Sequence, residues 1–454
     1  MKPFTEAQTV SHKLIRQIRS KPITKTDLKV ASEFALDAIA NILAGAKSDI
    51  GPNLMSWARA HGLFLATETR IGDAGRLAFV MGNLCNVLEM DDLHRGAVLH
   101  PGCVVVPAIF GLHSSCGNQA PFTGEKALEA LLHGYEATIR VGRAVGGEHY
   151  KIWHNTATCG PFGSAMAAAH LLGLDENQTA AALGNAGTQA AGLWEFKKSG
   201  AMSKHIHAGR GAEAGTVAAE LAAIGFSGAP EIFEGEQGFF RAMCPDGSIE
   251  RILSGPEEPW QIHLASLKPW PTCRHTHAPI TAALTIRDQI TGKGLDAEAI
   301  NRIEIRTYKT ALSMCDNSKP TSIEEAKFSI QHSVACALAL PNVDFASLEK
   351  KVREMVASLR ARITISRSEV YDKAYPEAWG ANIAVYLKNG ECLQASTEHA
   401  KGDPELPLNR KELIDKVRML LEHAGLENPV KLIEQVLALA DDGSLPTIFD
   451  RNRG

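Results

Sequence analysis

Residues 163–172 read Gly-Ser-Ala-Met-Ala-Ala-Ala-His-Leu-Leu. Ala165, Ala167, Ala168 and Ala169 carry almost no side-chain bulk, so neighbouring helices can approach closely and the segment suits a buried bundle. The same character returns at 180–192 and 211–223, and Gly225 follows the latter in the place where glycine ends helices. Upstream, Glu125 to Val145 has helical periodicity with small residues, and Val104 to Leu112 is apolar. Residues 29–44 place Val30, Phe34, Ala35, Ile39, Ile42 and Leu43 at helical spacing. Gly45 is the expected stop. Up to about residue 265 the pattern holds helices and no convincing strand.

The pattern then changes. Arg302 to Thr307 alternates with Ile303 and Ile305 on one side, and Arg362 to Ser366 does so through Ile363 and Ile365. Ile383, Val385 and Leu387 alternate up to Asn389-Gly390, the favoured pair for a two-residue hairpin turn, and a partner strand follows. Helical segments at 276–289, 326–339 and 346–359 lie between. Polar sequence at Gly402 to Pro407 ends this unit, and amphipathic helices at 410–423 and 429–440 return to the helical body. The expected fold is mainly α: a large all-helical domain of residues 1–267 and 403–454, with a smaller α+β lid domain of residues 268–402. No internal repeat is evident.

The chain has 454 residues, 45% hydrophobic and 22% charged, with a net charge of −4. That balance is ordinary for a globular protein and lacks the clustered basic footprint of a nucleic-acid binder. No apolar run reaches the roughly 18 residues needed to span a bilayer. The mildly basic N-terminus, Met1 to Lys21, lacks the apolar core of a secretory signal and reads as a surface helix. Nine cysteines are scattered without a C-x-x-C pair. Reduced thiols and a cytoplasmic location follow from that usage.

Polar groups concentrate in four short segments. Residues 89–101 put Glu89, Asp91, Asp92, His94, Arg95 and His100 behind an apolar helix through Leu77 and Leu88. That helix is expected to run into Asp91 and Asp92 and break near Gly96. Two carboxylates at a helix C-terminus oppose the macrodipole, so a cation, a partner side chain or a substrate should compensate them. A solvated charged loop is the plainer reading. His154 follows Trp153 in a loop, where imidazole serves either structure or proton transfer near neutral pH. Lys204 to Arg210 contains Lys204, His205 and His207 among small residues, which suit a buried lysine able to act as a base. Lys268 to His277 reads Lys-Pro-Trp-Pro-Thr-Cys-Arg-His-Thr-His and is expected at the junction of the two domains, where ligand clefts are common. Its Lys268, Arg274, His275 and His277 add cations and imidazoles. Together the segments suit a small, multiply anionic substrate. His205/His207 and His275/His277 are each two apart and could chelate a metal if extended. No H-E-x-x-H accompanies them, and no metal is assigned.

Taken with their order along the chain, Glu89-Met-Asp-Asp with His100-Pro-Gly102, His154-Asn-Thr-Ala-Thr-Cys-Gly160, Lys204-His-Ile-His-Ala-Gly209 and Lys268-Pro-Trp-Pro resemble the MmgE/PrpD family. Its members include 2-methylcitrate dehydratase, cis-aconitate decarboxylase and iminodisuccinate epimerase. The resemblance implies a homodimer and cofactor-free acid–base catalysis on small di- or tricarboxylates. Asp91, Asp92, His100, His154 and Lys204 carry over as catalytic residues. Lys268, Arg274, His275 and His207 are assigned to substrate binding. Leu93 stands where the family often has threonine, and Cys273 where some members have histidine; both departures bear on the substrate. The expected reaction is abstraction of a proton next to a carboxylate by Lys204 or His154, with the enediolate stabilised by fixed cations. A dehydratase of the 2-methylcitrate type is the favoured outcome, with an epimerase or a decarboxylase as alternatives. A metal-dependent hydrolase or a non-enzymatic carboxylate-binding protein represents the other classes.

Overall fold

The computed structural model describes residues 9–63, 73–115, 122–199, 201–441 and 443–448. The first eight residues and Cys116 lie outside the described residues. The chain divides into two compact units, Met1–Ala265 with Leu413–Gly454, and Ser266–Glu412. It is mainly helical with a smaller α+β part, as the sequence pattern predicts.

The first unit contains α1 (Val10–Ser20), α2 (Lys25–Gly45), α3 (Gly51–Ala60), α4 (Ala74–Asn86), α5 (Gly102–Ser115), α6 (Gly124–Ala144), α7 (Gly147–Ile152), α8 (Asn155–Leu171), α9 (Glu176–Gly187) and α10 (Ser203–Ala223). Short polar side chains start several of them: Thr24 and Asp27 form a capping box on α2, Asp73 caps α4 and Thr123 caps α6. Each satisfies a backbone N–H that the first turn leaves without an intrahelical partner. The α1 helix buries Leu14, Ile15 and Ile18 and turns Lys13 and Arg16 outward.

At the centre, α8 is buried along its whole length except at His170. A helix apolar all round is what an Ala-rich sequence without a charged face should give. Packing there is at backbone distance. A Cβ on Gly209 of α10 would lie 2.0 Å from Asn83 Nδ2 and 2.5 Å from the Phe79 carbonyl of α4. Gly82 faces Gly209 while Gly75 faces Val217, so α4 and α10 run antiparallel. Gly211 lies over the Thr156 carbonyl and Gly215 over Ser164, so α8 and α10 run parallel. His100 N–H donates to Thr156 Oγ1, and Gly160 meets Val104, so α5 also runs parallel to α8.

Several expectations are corrected. The α4 helix stops at Asn86, short of Asp91 and Asp92, because the chain turns at Glu89 with φ +58°. The two aspartates therefore do not oppose a helix dipole; what they oppose is their own burial. The helix expected at 211–223 begins at Ser203, so Lys204 to Arg210 forms the first two turns of α10. Gly45 is the last residue of α2, so the helix ends where expected, one residue later than a glycine just past the end would give; a Cβ there would also strike the Leu84 carbonyl. Gly225, at φ +87°, does terminate α10: its N–H donates to Ala222 O and that of Phe226 to Leu221 O. The first unit also has a two-residue extended stretch, Leu93–His94.

In the second unit, the strand Ile300–Thr307 pairs in parallel with Ile363–Arg367 and antiparallel with Ala381–Leu387, which pairs antiparallel with Cys392–Thr397. Ile303 and Ile305 face inward, as the alternation predicts. The turn at Asn389-Gly390 is longer than two residues: Leu387 N–H donates to Glu391 O, and Gly390, at φ +88°, takes the left-handed position of a three-residue loop. The helix His277–Gly292 packs on this sheet and Ile330–Ala339 packs against the helix. The expected helices at 326–339 and 346–359 are broken. Ser329 caps a new start at Ile330, and the second becomes Phe345–Leu348, Lys350–Met355 and Ala357–Arg360.

The Gly209 contact sets an expected outcome. Gly209→Val must push α4 and α10 apart and should cost about 1–3 kcal/mol or more, as overpacking does. Gly292→Ala, at a helical glycine with open space around it, should be neutral or slightly stabilising. Denaturant titration of the two variants beside the wild type checks both.

Candidate active site

The residues of the 89–101 segment are buried, and their charges are met from inside the protein. Asp91 is fully buried and Asp92 2% exposed. Asp91 Oδ2 accepts from Asn86 Nδ2 at 2.8 Å and faces His100 Nδ1 at 3.2 Å. Asp92 Oδ1 accepts from Gly102 N–H at 2.9 Å, at the first residue of α5. Below them Lys416, from the helix Arg410–His423, forms an ion pair with Asp37 of α2 and donates to Met90 O at 2.8 Å. The compensation of Asp91 and Asp92 comes from local partners, Asn86, His100 and Gly102 N–H, while Lys416 neutralises the neighbouring Asp37. Burial, with Asp91 and Asp37 nearby, pushes the Asp92 carboxyl up to about 7, against the opposing pull of Tyr135 and His100. Burial also drives the Cys85 and Cys103 thiols well above their ordinary range, which makes them poor nucleophiles.

His100 Nδ1 lies 2.8 Å from the Asp92 carbonyl, which can only accept, so this nitrogen carries the proton. The lone pair of the neutral ring is then on Nε2. The segment that presents His100 is a tight loop: His94 N–H donates to Leu99 O, Val98 N–H to Arg95 O, and Asn155 Nδ2 to Ala97 O at 2.8 Å. His94 is held neutral, pushed down to about 3 by burial and by Arg143 and Arg95.

Because α5, α8 and α10 run parallel, their N-termini share one end of the bundle, and α4 ends there. His100 precedes α5, His154 is the residue before α8, and Lys204 lies in the first turn of α10. Lys204, with its side chain 14% exposed, forms an ion pair with Glu89. His154, 2% exposed, meets His207 Nδ1 to Nδ1 at 3.2 Å, so one ring donates to the other. Burial and the Lys204 charge push His207 down to about 4, which keeps it neutral near pH 7. Trp194 lies against His154 at 4.6 Å between ring centroids, and Phe196 against His207 at 5.6 Å. Thus Asp91, Asp92 and His100 form one group, and Lys204, His207 and His154 another, at the same helix ends. Helical geometry separates His205 from His207 by about 200°, so the pair cannot chelate as an extended segment would.

In the second unit Lys268 is fully buried. Arg274 forms a buried ion pair with Asp403, meets His277 Nδ1 at 2.9 Å and donates to Lys401 O at 3.1 Å. Its guanidinium fastens the 400–403 loop. His275 Nδ1 lies 2.6 Å from Tyr308 OH, and its ring stacks on Trp379 at 4.5 Å and 9°. His275 belongs to a 3-10 turn and His277 opens the next helix, so these two are not extended either. Among the described residues, His399, Asp403 and Glu405 could approach a metal ion. The Asp403 oxygens are already engaged by Arg274, by Ser266 Oγ at 2.6 Å and by Ala400 N–H at 2.9 Å. Every described cysteine is a thiol rather than a disulfide.

Lys416, Asp37 and Tyr135 escaped the reading of the sequence. A signal existed for Lys416, which sits on the apolar stripe of its helix with Leu413, Val417 and Leu420. Asp37 likewise interrupts the apolar run from Phe34 to Ile42.

The burial of Asp92 has a pH signature. Its folded value near 7 exceeds the ordinary 3.8, so the native state holds a proton that the unfolded state has released between about pH 4 and 7. The stability this group contributes is full below about pH 4 and lost as pH rises through about 7. Calorimetry of Asp92→Asn at a series of pH values should show the wild type losing ground to the variant as pH rises across that window. A wild-type-minus-variant difference independent of pH would exclude it.

Comparison with known proteins identifies relatives of the chain. The chain is 28% identical over 390 residues to the cis-aconitate decarboxylase of Aspergillus terreus, covering 80% of this chain and 78% of that protein. It is 26% identical over 389 residues to the cis-aconitate decarboxylase of Homo sapiens, covering 82% and 78%. Residues 12–252 match the MmgE/PrpD N-terminal domain and residues 270–441 the MmgE/PrpD C-terminal domain. His100, His154 and Lys204 stand in the first match and Lys268 in the second, and with both domains present in order the chain belongs to the MmgE/PrpD family.

Proposed function

We propose that this protein is a cofactor-free lyase that moves a proton at the carbon next to a carboxylate of a small di- or tricarboxylate. The observation that carries the proposal is the shared end of α5, α8 and α10, at which His100, His154 and Lys204 each stand at a helix start. Helix N-termini present unsatisfied N–H groups and favour anions, so three at one end suit a substrate with several carboxylates. His154 and Lys204 supply acid–base groups on either side of the neutral His207. His100, with its Nδ1 proton directed to Asp91 and Asp92, offers Nε2 outward. A substrate-binding role for Lys268 is retained on the family resemblance alone. Assembly as a homodimer and a cytoplasmic location belong to the same proposal.

Within this reading two outcomes differ in their leaving group. In decarboxylation the C–C bond breaks, carbon dioxide leaves with its oxygens, and the electron pair left on carbon takes a proton from the acid. In dehydration the base takes the carbon-bound proton and hydroxide leaves with a second proton as water. The relatives named above favour decarboxylation of a cis-aconitate-like acid. The 2-methylcitrate type of dehydration is the second reading, supported by the whole-chain resemblance.

Lys204→Met should lower turnover by about 10²–10⁴-fold, the usual loss for an acid–base group, with little change in the unfolding midpoint. Near-wild-type activity would remove Lys204 from the mechanism. Incubation in D₂O with cis-aconitate, citrate, 2-methylcitrate and iminodisuccinate, followed by proton NMR, separates the outcomes. Decarboxylation of cis-aconitate yields a shorter diacid, dehydration yields new alkene signals, and epimerisation exchanges the α-proton without net loss. Binding of these anions without exchange or conversion would make the protein a carboxylate-binding protein instead.

A further inference from the structure

Among the described residues two that are not glycine, Glu89 and Val98, both in the 89–101 segment, adopt a left-handed backbone that costs energy, and at Glu89 no structural return is evident. Glu89, three residues past the end of α4, has φ +58°, in the left-handed region where an L side chain is disfavoured. Glycine or asparagine normally takes such a position after a helix. Here a glutamate takes it, buried, with its side chain 5% exposed. Its Oε1 ends on the Lys204 ammonium. Strain of this kind is retained where a side chain is needed at a particular place, and it clusters at functional sites.

The partner explains the need. Lys204 lies in the first turn of α10, where the helix dipole disfavours a cation. Three groups on neighbouring elements bear on it: Glu89 from the turn after α4, His207 one turn on along α10, and His154 from the start of α8, in contact with His207. Only Glu89 among these carries negative charge.

We propose that Glu89 is a positioning residue for Lys204. Its carboxylate fixes the ammonium at the rim and raises its proton affinity, so that Lys204 rests protonated and enters the reaction as the acid. This rests on the reading of Lys204 as an acid–base group. In the decarboxylation the C–C bond breaks and carbon dioxide leaves, the electron pair left on the substrate carbon takes the proton as the Lys204 N–H bond breaks, and Glu89 accepts a hydrogen bond from the amine that remains. A proton from water then restores the ammonium.

The test reads Lys204 without turnover. Trace acylation with acetic anhydride across a pH series, with the Lys204 peptide quantified by mass spectrometry, gives both a plateau rate and a titration midpoint. The plateau reports access to the amine and the midpoint its proton affinity. Glu89→Gln, close in shape and neutral, should lower the midpoint by at least about one pH unit, which is about ten-fold more free amine at a given pH below it. Glu89→Gly should lower it equally while holding or raising the unfolding temperature, because glycine relieves the left-handed backbone. An unchanged midpoint in Glu89→Gln, or a large loss of stability in Glu89→Gly, would overturn the proposal, the latter by making Glu89 a structural tie. A lowered midpoint without conversion of any polycarboxylate by the wild type would uphold the pair and sink the proposed reaction, so the two failures are distinct.

Discussion

The ion pair between Lys416 and Asp37 makes the 89–101 loop possible. Three carboxylates, Asp37, Asp91 and Asp92, lie close together in the interior of the helical unit. Left to themselves they would repel each other and lose their hydration, a penalty of several kcal/mol per ion. Lys416 neutralises one, His100 faces another, and Asp92 accommodates the remainder by holding its proton up to about pH 7. The lysine also donates to Met90 O, so the same ammonium fixes the backbone from which Asp91 and Asp92 project. A helix more than three hundred residues downstream thereby sets the geometry of His100.

Side-chain size does the rest. With α4, α8 and α10 in contact through glycine, alanine and serine, the helices lie close enough for backbone and hydroxyl groups to touch, as where Ser164 Oγ donates to Gly211 O at 2.7 Å. Parallel packing of α5, α8 and α10 gathers three positive helix ends at one rim. Antiparallel packing of α4 brings Glu89 to Lys204. The chemistry of the rim thus follows from the choice of small residues one or two turns away.

The helical class and the α+β part were legible because periodicity depends on which residues are apolar, and both halves keep it over long stretches. His154, Lys204 and His100 were legible as polar groups flanking apolar segments. Helix ends were less so. The turn at Glu89 depends on a left-handed residue that is not glycine, which no local rule anticipates. The start of the helix at Ser203 was missed because Lys204, His205 and Gly209 are mixed helix formers, and close contact of Gly209 with Asn83 and Phe79 holds this turn in place. The Arg274 guanidinium was read as a carboxylate binder, and its partner Asp403 lies too far along the chain for sequence to reveal. Lys416 was hidden for the same reason.

The close-packed helices have a consequence for how such a protein can diversify. Where backbones touch, almost any larger side chain is rejected, so the core can accept little change and holds the helix starts that carry His100, His154 and Lys204 in fixed directions. Freedom is left to the connecting segments at the rim, among them Leu93 in the loop before His100 and the Trp194–Lys198 turn beside His154. On the proposed function, selectivity for one acid over another can drift through a handful of loop positions while the groups proposed to move the proton stay fixed, which would make the scaffold conservative in chemistry and permissive in substrate.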